Sequence, residues 1–567
     1  MNVFFLVWKN SGTTENRRSQ VSRIIETLST DFSAQLEGLN QPPQFLHRNY
    51  GDWELLYWIA PVENWKAQNA ETSGNEFALA PEFPFGVNAK HKTLCELGKN
   101  LLTNFRGTHE TVAPPFSLLY SKSFSESRHD GSAELHLFND CVGYSPVFTY
   151  QENGEPLAFS NKILCFHSLG KSFEVVPEEW ALRAILRYFP KNTTGLKNIS
   201  VAGPQTQISI VNNKVTIRTH GPWIPPQLPT HNSDEIAEFS RQNLSEVCKS
   251  FAACADSIGG GLTGGYDSRS LFSTFLSLNL PIRARVKGAP ESGDVTTAKK
   301  LAELAGIKIK HKTEVELPPT SWQDLETNLK KTSLWHVGQI YSHKFKTFKL
   351  NAKDPSVNIL GHDGMLVRDP LQTFIRKKGL AKFTLQESIA NKDKLNLFNS
   401  QIAQILQAYF EEMTQTLDAL PFDEAGKRRY FYVLELGRKL SAGSKTNQFG
   451  VVGTPLMNPA NLSICTWSTG DLSTNFVPQK IVEKNFPVWK DVPYFSWEST
   501  KANPEEKGDW RTISGHHYYH RTQYWREIAG PLLEKAARIN PLSAYLKFQK
   551  PEDLLLLADE ITFLKSF

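Results

Sequence analysis

Between Gly259 and Phe272 the chain reads GGGLTGGYDSRSLF, a stretch that gathers the residue types able to handle phosphate. Gly264 and Gly265 let a bulky anion approach the backbone and can take positive φ. Thr263 and Ser268 bring hydroxyls, and Asp267 brings a carboxylate able to hold a magnesium ion. A loop that feeds a helix presents unpaired N–H groups to an anion at the helix N-terminus. Two familiar alternatives are excluded by spacing. No Gly-Lys-Ser/Thr follows the glycines, so this is not a Walker loop, and the glycines do not fit the G-x-G-x-x-G of dinucleotide sites. The remaining plain reading is a glycine-rich turn ahead of a helix.

Positioning such a loop requires a strand before it and a helix after it, and the flanking pattern supplies both. SIGGGL runs into the loop, although three consecutive glycines are poor strand formers and must be held by neighbouring strands. SRSLFSTFLSLN follows with a helical stripe at Leu271, Phe275 and Leu278. IRARVKG reads as a strand, DVTTAKKLAELAG as a helix stopped by Gly306, and IKIKHKTEVEL as a further strand. Alternating strands and helices predict a doubly wound parallel sheet, in which ligands lie beyond the carboxyl ends of the strands. From Pro318 onward the pattern is mainly helical, with helices expected over Leu395 to Leu417, Ala425 to Leu440 and Tyr524 to Ile539.

The chain before the loop is different. Up to about Thr219 it is strand-like: MNVFFLVWKN reads as a first strand, ELHLFND alternates, and QISIVNNKVTIRT predicts a hairpin turning at Asn212-Asn213. HGPWIPPQLPTHNSDE then brings Pro222, Pro225, Pro226 and Pro229 together as a stiff linker. Asn232 and Glu235 stand at capping-box spacing ahead of Ile236, Phe239, Leu244, Val247 and Phe251. The expected fold is therefore mixed α/β and α+β. It has an antiparallel part over 1–220, a Pro-rich linker over 221–232, and a parallel α/β part with a largely helical C-terminal portion over 233–567.

Composition narrows the partners. With 40% hydrophobic and 21% charged residues the chain belongs with ordinary globular proteins rather than disordered ones. A net charge of +5, from 63 basic and 58 acidic residues, is too small over this length to argue for nucleic acid or membrane. The expected partner is a small molecule or a peptide. The six cysteines lack a CxxC pair, which opposes a zinc ribbon or disulfide framework. No apolar run approaches the ~20 residues of a membrane span, and the first residues lack signal-peptide features, so a cytoplasmic location is expected. His516 and His520 are spaced four apart without the acidic partner of an HExxH site, which favours an aromatic surface or lid over zinc.

The loop LTGGYDSR resembles the SGG-x-DS pyrophosphate loop of the asparagine synthetase-like family, with Thr263 in place of the first serine. Two further segments agree in order. LGRKLSAGSKTNQFGVVGTPLMNP resembles the family's helix and loop ending in a PFLD-like turn, here Pro455 to Asn458. FNDCVGYSPVFTYQENGEPLAFSNKI resembles a hairpin region of its glutaminase-like domain. The resemblance implies an N-terminal glutaminase-like (Ntn-type) antiparallel sandwich followed by a PP-loop, Rossmann-like adenylating domain. It also implies ATP and Mg²⁺ as cofactors. Thr263, Gly264, Gly265, Asp267, Ser268 and Gly361 would bind the nucleotide, Asp267 and Asp363 would hold the metal, and Asp267 and Lys501 would act in catalysis, with Lys490 and Lys507 as rivals to Lys501.

Two departures shape what the resemblance implies. Glutamine-dependent members have a cysteine directly after the initiator methionine, where this chain has Asn2, so no glutaminase activity is expected. The pattern is closest in type to the β-lactam synthetases and lasso peptide cyclases, in which an amine of the same substrate closes a ring. A peptide substrate would bring a precursor peptide and a leader-processing protease as partners. The family's SGEGADE-like metal segment corresponds to LGHDGMLVRD, which places Met365 at the aspartate. Either Asp363 takes over that duty, or the chain is a degenerate scaffold or nucleotide-binding protein.

Overall fold

The computed structural model describes residues 2–9, 14–35, 43–59, 62, 64–86, 93–122, 134–288, 290, 292–313, 357–368, 389–439, 451–468, 475–494, 541–547 and 557. Among these, the first part holds two six-stranded antiparallel sheets. One sheet comprises β1 (Asn2–Trp8), β2 (Gln44–Tyr50), β3 (Trp53–Ile59), β10 (Phe148–Glu152), β11 (Glu155–Ser160) and β12 (Ile199–Val201), in the order β12-β10-β11-β1-β3-β2. The other comprises β4 (Ala70–Ser73), β5 (Glu76–Glu82), β8 (Ser117–Ser121), β9 (Glu134–Asn139), β13 (Thr206–Val211) and β14 (Lys214–Thr219), in the order β14-β13-β9-β8-β5-β4. A short pair, β6 (Phe85–Gly86) and β7 (Val112–Ala113), lies apart.

Side-chain alternation explains the layering. Phe4, Leu6, Leu55 and Tyr57 of the first sheet meet Leu79, Leu119, Leu137 and Ile208 of the second in one core between the sheets. The opposite face of the first sheet, with Val3, Phe5, Leu56 and Trp58, is covered by Val21, Ile24 and Leu28 of α1 (Thr14–Gln35). The outer face of the second, with Ala78, Leu118, Tyr120 and Phe138, is covered by Leu94, Leu97 and Leu101 of α2 (Leu94–Thr103). Strands apolar on both faces thus form a four-layer α-β-β-α sandwich. The hairpin expected at Asn212-Asn213 is present between β13 and β14, with φ of 49° and 64° as a tight turn of two left-handed residues requires.

The segment expected as a linker carries no helix or strand but is packed. Trp223 is 3% exposed, its carbonyl accepts from the Tyr430 hydroxyl, and Pro225 O accepts from Trp467 Nε1. It straps the second part rather than spacing it. The next helix, after α3 (Phe105–His109), α4 (Leu164–His167) and α5 (Pro177–Leu186), is α6 (Ser233–Ala253). Its N-cap is Asn232, whose Oδ1 accepts from the N–H groups of Asp234 and Glu235.

The second part is built on a parallel sheet of β15 (Ile258–Gly261), β16 (Ile282–Lys287), β17 (Ile309–Lys312), β18 (Asn358–Ile359) and β19 (Val452–Gly453). Its order is β17-β16-β15-β18-β19. The chain therefore moves outward from β15 to β17 and then returns to the other side of β15. α6, α7 (Tyr266–Ser277) and α8 (Gly293–Leu304) pack on the face bearing Ile258, Ala284 and Val286. Two of the three glycines suit this central strand: a Cβ on Gly260 would lie 2.9 Å from Phe272 and one on Gly259 2.6 Å from Asn358 Oδ1, while Gly261 faces open space.

Two helix expectations change in detail. Leu395 to Leu417 is two helices, α9 (Lys392–Asn396) and α10 (Ser400–Asp418), because Phe398 bridges to Leu546 and Asn399 caps α10. Ala425 to Leu440 begins as α11 (Glu424–Phe431) and widens into a π-turn over Tyr432–Gly437. Tyr524 to Ile539 lies outside the described residues. α5 packs with α10 and α11 in a single core, which joins the sandwich to the C-terminal helices.

Candidate functional site

The carboxyl ends of β15 and β18 are adjacent, at the point where strand order reverses. In open parallel sheets this crevice is where ligands bind. The loop after β15 is the glycine stretch, and the loop after β18 is the Gly361 to Arg368 segment. They touch: a Cβ on Gly361 would lie 3.3 Å from Asp267 Cβ, and one on Gly364 2.2 Å from Asp267 Oδ1. A side chain at position 364 would collide with Asp267 and one at 361 would be tight, so Gly361 and Gly364 lie directly against the first turn of α7.

Within the first loop, side chains fix the turn. Ser268 Oγ lies 3.0 Å from Thr263 Oγ1 and accepts from Thr263 N at 3.1 Å, and Gly265 N donates to Thr263 Oγ1 at 3.2 Å. The positive φ expected for Gly264 and Gly265 is not used: Gly265 has φ −80°, and neither residue is left-handed. With the hydroxyls holding the turn, no reversed backbone is needed. Gly264 N donates to Asp294 Oδ1 at 2.9 Å, so a carboxylate from the first turn of α8 already occupies an anion-facing N–H. Burial pushes the Asp294 carboxyl above its usual value, and the Gly264 N–H opposes the shift. Gly265 at the N-cap of α7 offers no side chain to the first turn, leaving that helix end to an anionic partner.

Asp267 is engaged. Arg368 Nη2 donates to both its oxygens, at 2.6 and 2.7 Å, while the carboxylate remains 26% exposed. Burial raises the Asp267 carboxyl above its ordinary value; the Arg368 guanidinium opposes this, and the nearby Asp363 carboxylate reinforces it. Asp363, in the left-handed region at φ 70°, accepts from the Tyr144 hydroxyl at 3.3 Å. Tyr144 comes from the sandwich, and its hydroxyl fits only because residue 437 is glycine: a Cβ there would lie 2.0 Å from the phenol oxygen. Tyr432, opening the π-turn, directs its hydroxyl to Met365 Sδ at 3.8 Å. A layered stack flanks the loop, with Tyr266 on Tyr494 at 4.1 Å, Arg269 over Tyr494 at 4.0 Å and Arg368 over Tyr266 at 5.7 Å.

The donors, as they stand, do not fit a magnesium ion. Asp267 and Asp363 come together as expected, but both oxygens of Asp267 face a guanidinium and Met365 offers a thioether, a soft donor that a hard cation does not select. Among the described residues no group of three or more His, Cys, Asp or Glu is placed to hold a metal.

The arrangement can receive an anion at the uncapped turn of α7, beside Arg368 and between two loops in close contact. Lys501 and Lys507, and His516 and His520, lie outside the described residues, while Lys490 ends the short helical turn Pro487–Trp489. The cysteines are all free, and five of the six are buried. Sequence reasoning missed Arg368, Asp294, Tyr144 and Tyr432. Arg368 and Asp294 are charged and follow β18 and β16, but each lies several residues beyond its strand and nothing local singled it out. Tyr144 carried no signal either, since it meets Asp363 from 219 positions away.

No known protein-family model matches the chain, and no curated protein matches it in sequence. No helix among the described residues is long and apolar enough to cross a membrane.

Proposed function

We propose that the chain is an ATP-dependent, AMP-forming carbon–nitrogen ligase of asparagine synthetase-like type. Thr263, Gly264, Gly265 and Ser268 bind the β- and γ-phosphates at the start of α7, and Gly361 keeps the opposite loop close enough to wall the site. A substrate carboxylate oxygen attacks the α-phosphorus, and the bond to the β-phosphate oxygen breaks. Pyrophosphate leaves and an acyl-adenylate remains. An amine nitrogen then attacks the acyl carbon, loses its proton and expels AMP. Lys501 is the residue proposed to steady charge in that second step, and Asp267 orients the phosphate-binding residues in the first.

The observation that carries this reading is the contact of the TGGYDS and GHDG loops at the reversal point of a sheet whose order is β17-β16-β15-β18-β19. That order fits a Rossmann-like PP-loop domain, and the four-layer sandwich fits an Ntn-type one. Asn2, in the first strand, uses its amide to donate to Pro81 O at 3.3 Å and brings no nucleophile. The amine then comes from the acceptor itself or from free ammonia; the first is the reading preferred here, intramolecular cyclisation of a natural product or a lasso-type peptide, with a precursor peptide and a leader protease as partners and a cytoplasmic setting.

A second reading, a degenerate scaffold or nucleotide-binding protein, is favoured by Met365 and by the Arg368–Asp267 pair. Exchange of labelled pyrophosphate into ATP separates the two. Substrate-dependent exchange that Asp267→Ala abolishes, with the circular dichroism spectrum retained, supports the ligase. Unchanged turnover in Asp267→Ala refutes the assignment.

A further inference from the structure

We propose that Arg368, rather than a resident metal ion, is the phosphate-binding cation of this site, and that Asp267 holds it there until an anion takes the carboxylate's place. The inference rests on reading the β15–β18 crevice as a phosphate site. Its own support is the geometry of Arg368. The guanidinium is steadied by its Nη1 towards Asn475 Oδ1 at 3.4 Å, by its Nε towards Gly364 O at 3.5 Å and by the Tyr266 ring. Its strongest bonds go to the two oxygens of Asp267, and Asp267 is the second residue of α7. The guanidinium therefore sits at the helix end that no side chain caps.

A phosphate offers the same paired acceptor oxygens as a carboxylate and carries more charge, so it can exchange for Asp267 on the guanidinium without moving the backbone. The side chains of Arg368 and Asp267 are 22% and 26% exposed, open enough for that exchange. The other side chains of the loop fit this role. Met365 brings a thioether rather than a hard oxygen donor to the loop, and three residues further on Arg368 brings a permanent positive charge aimed at Asp267.

The test is calorimetric titration of the full chain with inorganic pyrophosphate, in EDTA and again with magnesium chloride, for the wild type, Arg368→Ala, Arg368→Lys and Asp267→Asn. The wild type binds pyrophosphate in EDTA. Arg368→Ala weakens that binding about 10- to 100-fold, the usual worth of a charge-assisted pair, and Arg368→Lys restores part of it. Asp267→Asn tightens metal-free binding, because the guanidinium is no longer held by a charge; were Asp267 a metal ligand, the same variant would only weaken binding. The inference is overturned if the wild type binds pyrophosphate only with magnesium, if Arg368→Ala binds as tightly as the wild type, or if Asp267→Asn weakens the metal-free complex. AMP formation from ATP, measured in parallel, separates this from the ligase reading. Substrate-dependent AMP with pyrophosphate affinity indifferent to Arg368 removes this inference alone, and Arg368-dependent binding with no AMP from any carboxylate removes the ligase alone.

Discussion

Asp140 is the hinge between the sandwich and the crevice, and replacing it by asparagine tests that link. The residue is fully buried, and its two oxygens accept from four backbone N–H groups. Oδ1 takes Val142 at 3.0 Å and Tyr144 at 3.0 Å, and Oδ2 takes Phe116 at 3.3 Å and Ser145 at 2.8 Å. These bonds fold the turn that delivers Tyr144 to Asp363. Asparagine keeps the shape but has one acceptor oxygen, so two buried N–H groups come to face an amide NH₂. At about 1–3 kcal/mol for each stranded donor, the loss is about 2–6 kcal/mol, a large part of the ~5–15 kcal/mol that holds a typical domain together. The lost charge adds to this, since Asp140 also offsets the burial of the Arg438 guanidinium. Urea unfolding followed by tryptophan fluorescence, to which all 13 tryptophans contribute, gives the change in midpoint. Hydrogen exchange at the amides of residues 142–145 localises it. A loss below about 0.5 kcal/mol, the level of an ordinary surface change, would refute the assignment of this carboxylate as the turn's organiser.

Asp294→Asn should raise the affinity of the crevice for a phosphate-like anion about fivefold, the equivalent of ~1 kcal/mol, by weakening the hold on Gly264 N–H; an unchanged sulfate titration would count against it. The pH dependence has a definite sign. Burial raises both Asp267 and Asp294, so the folded chain takes up these protons at a higher pH than the unfolded one, and lowering the pH through the raised values removes the cost of their burial. Sulfate, whose charge stays constant, should therefore bind more tightly as pH falls from 7 towards the ordinary carboxylate range, and less steeply so in Asp294→Asn. Tyr144→Phe removes the hydroxyl that donates to Asp363 and should lower stability by about 1–2 kcal/mol while slowing AMP formation; an effect on neither would detach the sandwich from the site. Gly98→Val forces side-chain atoms into Tyr120, whose ring would lie 2.4 Å from the new Cβ, and should cost about 1–3 kcal/mol in urea unfolding as α2 is pushed off its sheet.

Much of the local structure was legible because it depends on neighbours in sequence. An apolar run marked β1 and alternation marked β9 and the β13–β14 hairpin, Asn232 capped α6 as its spacing required, and Gly306, at φ 64°, follows α8 where a helix stop was expected. The candidate phosphate loop was also legible, since its hydroxyls and glycines act within six residues of one another. Pairing across the fold was not. The glycine run of β15 reads as a poor strand, and only Phe272 and Asn358 pressing on Gly260 and Gly259 show why side chains are excluded. The long helix expected from Leu395 breaks because Phe398 meets a strand partner far along the chain.

Sequence by itself determined the inventory: a turn of Thr263, Gly264, Gly265 and Ser268 ahead of a helix, Asp267 in its first turn, and a GHDG loop after a short strand. Those features follow from local backbone preferences and from hydrogen bonds that close within a few residues. Tertiary structure decided what the inventory faces. It set Arg368 on Asp267, Asp294 on Gly264 and Tyr144 on Asp363, pairings that depend on strand order and on the docking of the sandwich. Charges act through space, so which partner a carboxylate holds is fixed by the packing of distant segments and cannot be read from its place in the chain.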